Sequence, residues 1–472
     1  MQRRGRPGTA AAAAATAATA ARREGLSAWG RFLAGVLTAL ISVLVFAALL
    51  VGYLLVTRFG LGVDAPRDEA FERSTPLLPE SALESVASLP VPPGNLAVSK
   101  TGDVYFSFHP FYNSANPTGI KVAVVAAADA ADASAAPQAQ ASRFRPFPDA
   151  AFQKNLTSVL AVRIDSRNRL FLLDHCEMGF LCTPTLYAFD LSEAAAQPSF
   201  VHRFPRSVAT WGSFLNDVQV SGDGQWVYIT DTSIVGKTPA LVVVDVQSNE
   251  SHRLFSGSRW LFGSSLFVPF RHSGIVAPGL GPIGFTTHVD GISLSRDGET
   301  LYFSAVTSDR MLAASTASLL DLVRGRQRQR GGAGGEGESA REDGVFKVVS
   351  TRKPISDGQS NDAHDNIWLT AFGESALAVL QPAAQQGGER RLVKVVESGA
   401  LLRWPDGLSF GPDGLYVTES ALHLKLFGGG GGGGGAASFF ETHGPFHIYR
   451  LSTASLQRAF GDDYAVPEHP GQ

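Results

Sequence analysis

The sequence predicts an all-β fold, a six-bladed β-propeller preceded by a single N-terminal transmembrane helix. Three observations lead there. One apolar run near the N-terminus carries no charge, and a hairpin motif recurs six times. The chain is also rich in turn residues, with 50 Gly and 26 Pro, which suits short strands and tight connections. Other classes are excluded by composition. Of 472 residues, 44% are hydrophobic and 18% charged, with a net charge of −3. A wholly disordered chain is less hydrophobic and more charged. There is no basic excess, so no nucleic-acid partner is expected. Two cysteines make no disulfide framework.

The first element is the apolar run. From Phe32 to Thr57 no residue is charged, and Leu, Val, Ala and Ile dominate. As a helix this run rises roughly 39 Å, more than the roughly 30 Å hydrocarbon core of a bilayer. A cleaved signal peptide has a shorter apolar core, so residues 32–57 read as a retained signal anchor. Arg3, Arg4, Arg6, Arg22, Arg23 and Arg31 precede it, whereas Arg58 and then Asp64, Asp68 and Glu69 follow. The positive-inside rule makes residues 1–31 a cytoplasmic tail and puts the rest in the lumen or outside the cell, as a single-pass type II protein. Two alternatives stay open. One is a buried core helix; the other is organelle targeting, because the leader is rich in Ala, Thr and Arg with Glu24 its one acid.

Residues 58–88 then read as a linker, 89–460 as the propeller and 461–472 as a C-terminal tail. Two sequons, Asn155-Leu-Thr157 and Asn249-Glu-Ser251, face the glycosylating compartment in this topology, which makes Asn155 and Asn249 expected glycosylation sites. Residues 126–142, 324–344, 381–391 and 428–437 lack periodicity and read as disordered insertions; the last holds the glycine run Gly428–Gly435. A short helical pattern is confined to Ala314–Val323.

The repeat is a polar residue, an alternating strand, a turn and a second strand with an aromatic. It runs from Asn95 to Tyr105, Asn216 to Tyr228, Asp290 to Tyr302, Asp357 to Trp368 and Asp406 to Tyr416. A weaker copy, Ala161 to Phe171, lacks the polar residue. Each copy reads as a β-hairpin, and further strand-like sequence follows, such as Ala240–Val246. Four strands per unit and six units make the propeller.

In a propeller the first strand of each blade lines the axis. Asn95, Asn216, Asp290, Asp357 and Asp406 then form a ring at one axial end, with Asp174, Asp231 and Glu419 on its rim and His109 and His423 near it. Converging carboxylates repel, so they raise their pKa values, bind a cation or are spread by water. Hard oxygen donors suit calcium, so Asn216, Asp290, Asp357 and Asp406 are a candidate calcium site. The competing reading is that Asp-Gly and Asn simply form turns. His288 and Trp404, just before ring aspartates, line a pocket or pack. Cys176 and Cys182, six apart, can pair in an oxidising lumen. Gly279-Leu-Gly281-Pro-Ile-Gly284 matches a dinucleotide fingerprint by letter only, since it holds a proline and lies between no strand and helix.

Several stretches together resemble the major royal jelly protein/Yellow family. They are Leu170-FLLD-His175, Cys182-TPTLYAFDL-Ser192, Leu215-NDVQV, Tyr228-ITD, Asp290-GISLS, Leu301-YFS and Ser356-Asp-Gly358. Pro93-GNLAVS and Trp404-PDGLSFGPDGLYVTES resemble its microbial branch. The resemblance covers roughly residues 90 to 455 and implies a six-bladed propeller. It also implies a role among those of the insect members, which are secreted and associated with dopachrome conversion, nutrition or binding of biogenic amines in the central cavity. The anchor and the insertions depart from that pattern. The ring is also similar to the senescence-marker/gluconolactonase propellers, where Glu, Asn and Asp hold calcium beside a lactone, but their first-blade Glu has no counterpart here.

Three functions are expected in order. The first is a membrane-anchored propeller that binds a small ligand of amine or catechol type at the axial end, where carboxylates pair with an ammonium and aromatics stack on the ligand's ring. The second is a non-catalytic extracellular interaction module. The third is a calcium-dependent lactonase- or esterase-like hydrolase. The expected partners are thus a small molecule and, through residues 32–57, a membrane. No cofactor is required except calcium under the third reading.

Overall fold

The computed structural model describes residues 32–33, 36–52, 63–64, 68–129, 144–192, 197–264, 266–273, 276–277, 285–328, 344–383, 385, 388–427, 440 and 443–467. The expected cytoplasmic tail, most of the Ala-rich insertion and the glycine run lie outside these residues. The chain divides into residues 1–60 and residues 61–472.

In the first unit residues 36–52 are helical, and their large apolar side chains stand exposed, Leu44 and Phe46 both at 68%. Among the described residues, no helix is long and apolar enough to cross a membrane.

The second unit is a propeller of six four-stranded antiparallel sheets. Blade 1 runs Pro93–Val98, Val104–Phe108, Val122–Val125, Arg145–Pro146 from axis to rim. Blade 2 is Val159–Ile164, Arg169–Asp174, Thr185–Asp190, Phe200–Arg203. Blade 3 is Leu215–Val220, Trp226–Asp231, Ala240–Asp245, Glu250–Leu254. Blade 4 is Val289–Leu294, Thr300–Ala305, Met311–Ser315, Phe346–Ser350. Blade 5 is Gln359–Asn361, Ile367–Ala371, Ala376–Gln381, Arg391–Glu397. Blade 6 takes Pro405–Gly411, Gly414–Glu419 and Phe446–Ser452 from the C-terminal part and Leu83–Leu89 from the N-terminal part.

That last strand corrects the expected boundary. Residues 83–89 are not linker. They pair antiparallel with the third strand of blade 6, Leu83 opposite Leu451 and Leu89 opposite Phe446, and so close the ring. Arg450 reinforces the junction by donating from Nη2 to Glu84 Oε2 at 2.5 Å. The expected C-terminal tail also packs in part. Tyr464 is buried, and its hydroxyl donates to Asp362 Oδ2 at 2.8 Å. The short helical pattern becomes the helix Thr316–Arg328, which takes in the start of the expected insertion 324–344, and within the expected insertion 381–391 Arg390 is buried and donates to Asp365 and Tyr302.

Period-two alternation is what packs the blades. Strand side chains point alternately to the two faces of a sheet, and here both faces are covered. In Trp226–Asp231, Val227 and Ile229 pack toward blade 2, while Trp226 and Tyr228 pack toward blade 4. Six apolar clusters arise this way, one in each gap between consecutive blades. β-Branched runs such as Leu241-Val-Val-Val244 suit a strand that is buried throughout.

Candidate functional site

Each blade begins its innermost strand at the same axial end, called the top. The ends of the second strands and the starts of the third strands lie there too. Just inside the top, the pairing of first and second strands slips in five blades. The slips fall between Pro93 and Leu96, Val159 and Val162, Leu215 and Val218, Val289 and Ile292, and Pro405 and Leu408. These are β-bulges, which re-aim side chains at the rims of closed sheets. The first bulge position is held by Gly94, Leu160, Asn216, Asp290 and Asp406, and Asp357 takes that place in blade 5.

This register shifts one expected ring member. Asn95 occupies the second bulge position, in line with Asp217, and donates from Nδ2 to Asp217 Oδ1 at 3.1 Å. Asp217 itself was missed, because in Asn216-Asp-Val-Gln it reads as the polar phase of an ordinary strand. Blades 4 to 6 carry Gly291, Gly358 and Gly407 at the second position. A Cβ there would run into Asp357 O, Asp406 O and the Asn95 Cα respectively, each in the next blade. The Asp-Gly repeat is therefore a close-approach device as well as a turn.

At the first position the acids gather. Asn216 Nδ2 donates to Asp290 Oδ2 at 2.6 Å and to Thr232 Oγ1 at 3.2 Å. Thr230 Oγ1 donates to the Asp290 carbonyl at 2.6 Å. Trp404, whose φ of 60° lies in the left-handed region, extends its indole Nε1 to Asp357 Oδ2 at 2.7 Å. A bulky residue in that region stores strain, and such positions cluster at ligand clamps. Asp406 Oδ2 is enclosed with no hydrogen-bond partner in normal geometry, and His109 Nε2 stands 3.7 Å from it.

Desolvation dominates the electrostatics. Burial, reinforced by the charges of Asp357 and Asp217, holds Asp290 and Asp406 well above the usual carboxylate range. Burial also pushes Asp217 and Asp357 up to about 6, opposed by Arg163 at Asp217 and by the Trp404 hydrogen bond and Lys353 at Asp357. Lys353, another residue the sequence did not single out, lies in the loop leading to Asp357. Its Nζ donates to Pro354 O at 2.8 Å and Ser356 Oγ at 3.0 Å, and burial pulls its pKa down to about 7. His109, His175 and His288 are pulled down to about 3, each chiefly by burial, so all three are neutral above that pH.

The Trp404 ring that bonds Asp357 belongs to an aromatic cluster. Trp404 stacks on Phe372 at 4.1 Å and on Phe270 at 5.4 Å, and Phe270 stacks on His423 at 4.7 Å. His288 packs edge-on against Phe262, and His175 against Phe214. His288 Nε2, His175 Nε2 and His423 Nδ1 are buried without hydrogen-bond partners.

The three expected rim acids sit differently. Asp174 accepts from the backbone N–H groups of Thr157, Ser158 and Cys176. Asp231 accepts from Phe214 N–H, Ser213 Oγ and Arg253 Nη1. Glu419 pairs with Arg403 and accepts from His447 N–H. All three are buried and tie the loops of their own blades together. Cys176 and Cys182 are joined as a disulfide. Asn155 and Asn249 are both exposed. Among the described residues, no group of three or more His, Cys, Asp or Glu is arranged to hold a metal ion, and Asn216, Asp290, Asp357 and Asp406 form none.

The family model described as major royal jelly protein matches residues 157–414, more than half of the chain. No curated protein gives a significant match. Solved structures that are similar include a calcium-binding protein, regucalcin, from Agrobacterium tumefaciens, at 12% identity and a TM-score of 0.44 over 80% of this chain and 95% of that one. A luciferin-regenerating enzyme is similar at 13% identity and a TM-score of 0.43 over 78% and 94%. A gluconolactonase from Xanthomonas campestris is similar at 13% identity and a TM-score of 0.39 over 71% and 85%.

Proposed function

The chain belongs to the major royal jelly protein family, and from that premise we propose that it binds a small organic amine at the top of the propeller axis. The observation that carries this reading is the Asp406 carboxylate. Its Oδ2 is enclosed without a hydrogen bond in normal geometry, beside a neutral His109, and Trp404, two residues before it in the chain, stacks on Phe372. An ammonium group satisfies that oxygen and lowers the repulsion among Asp217, Asp290, Asp357 and Asp406. An aromatic or catechol body matches the stacked rings of Trp404, Phe372 and Phe270. Calorimetric titration of the purified protein with dopamine and serotonin tests this. Heat that saturates with one ligand per chain is expected, and no heat at high micromolar ligand would sink the reading.

The same proposal includes anchoring through residues 32–57, in type II orientation, with Asn155 and Asn249 glycosylated. Its support is the charge-free run and the exposed large apolar side chains of residues 36–52. Resistance to alkaline carbonate extraction, and a mass shift on glycosidase treatment, are the expected results. Release into the soluble fraction would count against the anchor.

A second reading, a surface interaction module, has one observation in its favour. Phe180, Leu181, Trp211 and Val235 stand 50%, 72%, 67% and 56% exposed on loops at the top of blades 2 and 3. Partner capture that survives Asp290→Asn and Asp406→Asn would favour it.

A further inference from the structure

A second feature at the top lies off the axis, over blades 4 and 5. It is a cavity of about 460 Å³. Phe71, Val268 and Ile355 form its apolar wall, and Arg271, Asp309 and Glu374 line its polar side. Its size falls in the range of small-ligand pockets.

The charges around it are unequally engaged. Arg352 pairs with Asp68 at 2.6 Å. Arg271 donates from Nη1 to the Glu72 carbonyl at 3.1 Å, with Nη2 3.7 Å from the Glu72 carboxylate. Lys353 is turned to its own loop, on Pro354 O and Ser356 Oγ. Glu374 is different. Its Oε2 is enclosed and has no hydrogen-bond partner. An enclosed acceptor without a donor is a cost that a donating ligand removes.

We propose that this cavity binds a small aliphatic ammonium compound. Its charge meets Glu374, with Asp309 as a second carboxylate on the same lining, and its methylene chain lies along Phe71, Val268 and Ile355. An anion is disfavoured because the cations present already have acceptors, whereas the uncovered group is an acid. Burial, with Glu72 adding to it and Lys394 and Arg271 opposing, pushes Glu374 up to about 7. A bound ammonium favours the ionised form, so binding near neutral pH expels a proton. No carboxylate of the ring lines the cavity, and the two sites are linked electrostatically through Lys353, which lies on the lining and feels Asp309 and Glu374 as well as Asp357 and Asp290.

The test uses the full chain in detergent and 1,5-diaminopentane as the probe, with glutarate as the anionic control. Calorimetry in two buffers of different ionisation enthalpy reads both affinity and proton release. The expected result is saturable diamine binding, proton release near pH 7, and no glutarate binding. Glu374→Gln should lower diamine affinity at least tenfold and leave dopamine binding at the axis unchanged. If Glu374→Gln misfolds, the affinity of Lys353→Met, in which the second lining group with a pKa of about 7 no longer titrates, serves in its place and should rise as pH climbs through about 7. Absence of diamine binding, an equal affinity in a folded Glu374→Gln variant, or a flat pH profile overturns the proposal. Loss of dopamine binding with diamine binding intact would fault the axial reading alone.

Discussion

Asn216 donates from its Nδ2 to Asp290 Oδ2 at 2.6 Å, and the bond joins residues 74 apart in the chain. Both hold the first bulge position of their blades, so the contact stitches blade 3 to blade 4 on the axis. It satisfies one oxygen of one acid in a group of four. The repulsion among the others is left for protonation or a ligand to resolve.

Replacing Asp406 by Asn removes one of those charges at nearly constant volume. The expected outcome is a ligand-free Tm at pH 7.5 that is unchanged or raised, with dopamine affinity reduced at least tenfold. Scanning and titration calorimetry on one preparation check both. A variant with lower Tm and unaltered affinity would give Asp406 a structural role instead.

The pH profile has a definite sign. Asp357 has a folded pKa of about 6, against about 3.9 for an unperturbed Asp. Between those values the folded protein holds a proton that the unfolded chain has lost. The contribution is therefore complete below about pH 4 and is lost as pH rises through about 6. Asp357→Asn cannot make this transition. The Tm advantage of the wild type over Asp357→Asn should thus be larger at pH 4.5 than at pH 7.5, as read by scanning calorimetry without ligand.

Gly358→Ala places a Cβ against the Asp406 carbonyl of the next blade. Overpacking of this kind costs about 1–3 kcal/mol, and here the obstacle is backbone that cannot rotate away. A Tm lower by several degrees, or loss of soluble protein, is expected. Ala161, at the corresponding position of blade 2, shows that the bulge itself accepts a methyl group. A silent Gly358→Ala would mean that the inner strands separate easily.

Tyr464→Phe tests the tie between the C-terminal segment and blade 5. Asp362 Oδ2 receives Trp368 Nε1 at 2.9 Å and Asn366 Nδ2 at 2.8 Å in addition to the Tyr464 hydroxyl. Removing one donor of three to a buried carboxylate should cost about 1–2 kcal/mol in denaturant unfolding. Truncation before Tyr464 should cost more, because the ring also stacks on Phe460 and His364.

The architecture was legible because a propeller repeats, and repeated hairpins with aromatics on the second strand leave a period in the sequence. The closing strand Leu83–Leu89 was not legible. It belongs to a blade whose other strands lie at the far end of the chain, so no local motif marks it. The ring was legible in its aspartates but not in its register. The distance from polar residue to aromatic varies with turn length, which hid the one-residue slip of Asn95. Asp217 and Lys353 escaped because one alternates like any strand residue and the other lies in a connection. Asp174, Asp231 and Glu419 share a strand end with the ring. Burial against backbone N–H groups or an arginine, which spacing does not reveal, sets their role.

The junction between Arg450 and Glu84 spans 366 positions of sequence. During synthesis, Leu83–Leu89 leaves the ribosome long before its partner strand exists. Throughout that interval it is an open strand edge, the kind that recruits other chains. Contacts of such separation slow folding as well. The nascent protein is therefore most exposed to mispairing while five blades are complete and the sixth waits. Any condition that slows translation of the last fifty or so residues should lower its yield more than an equal delay earlier.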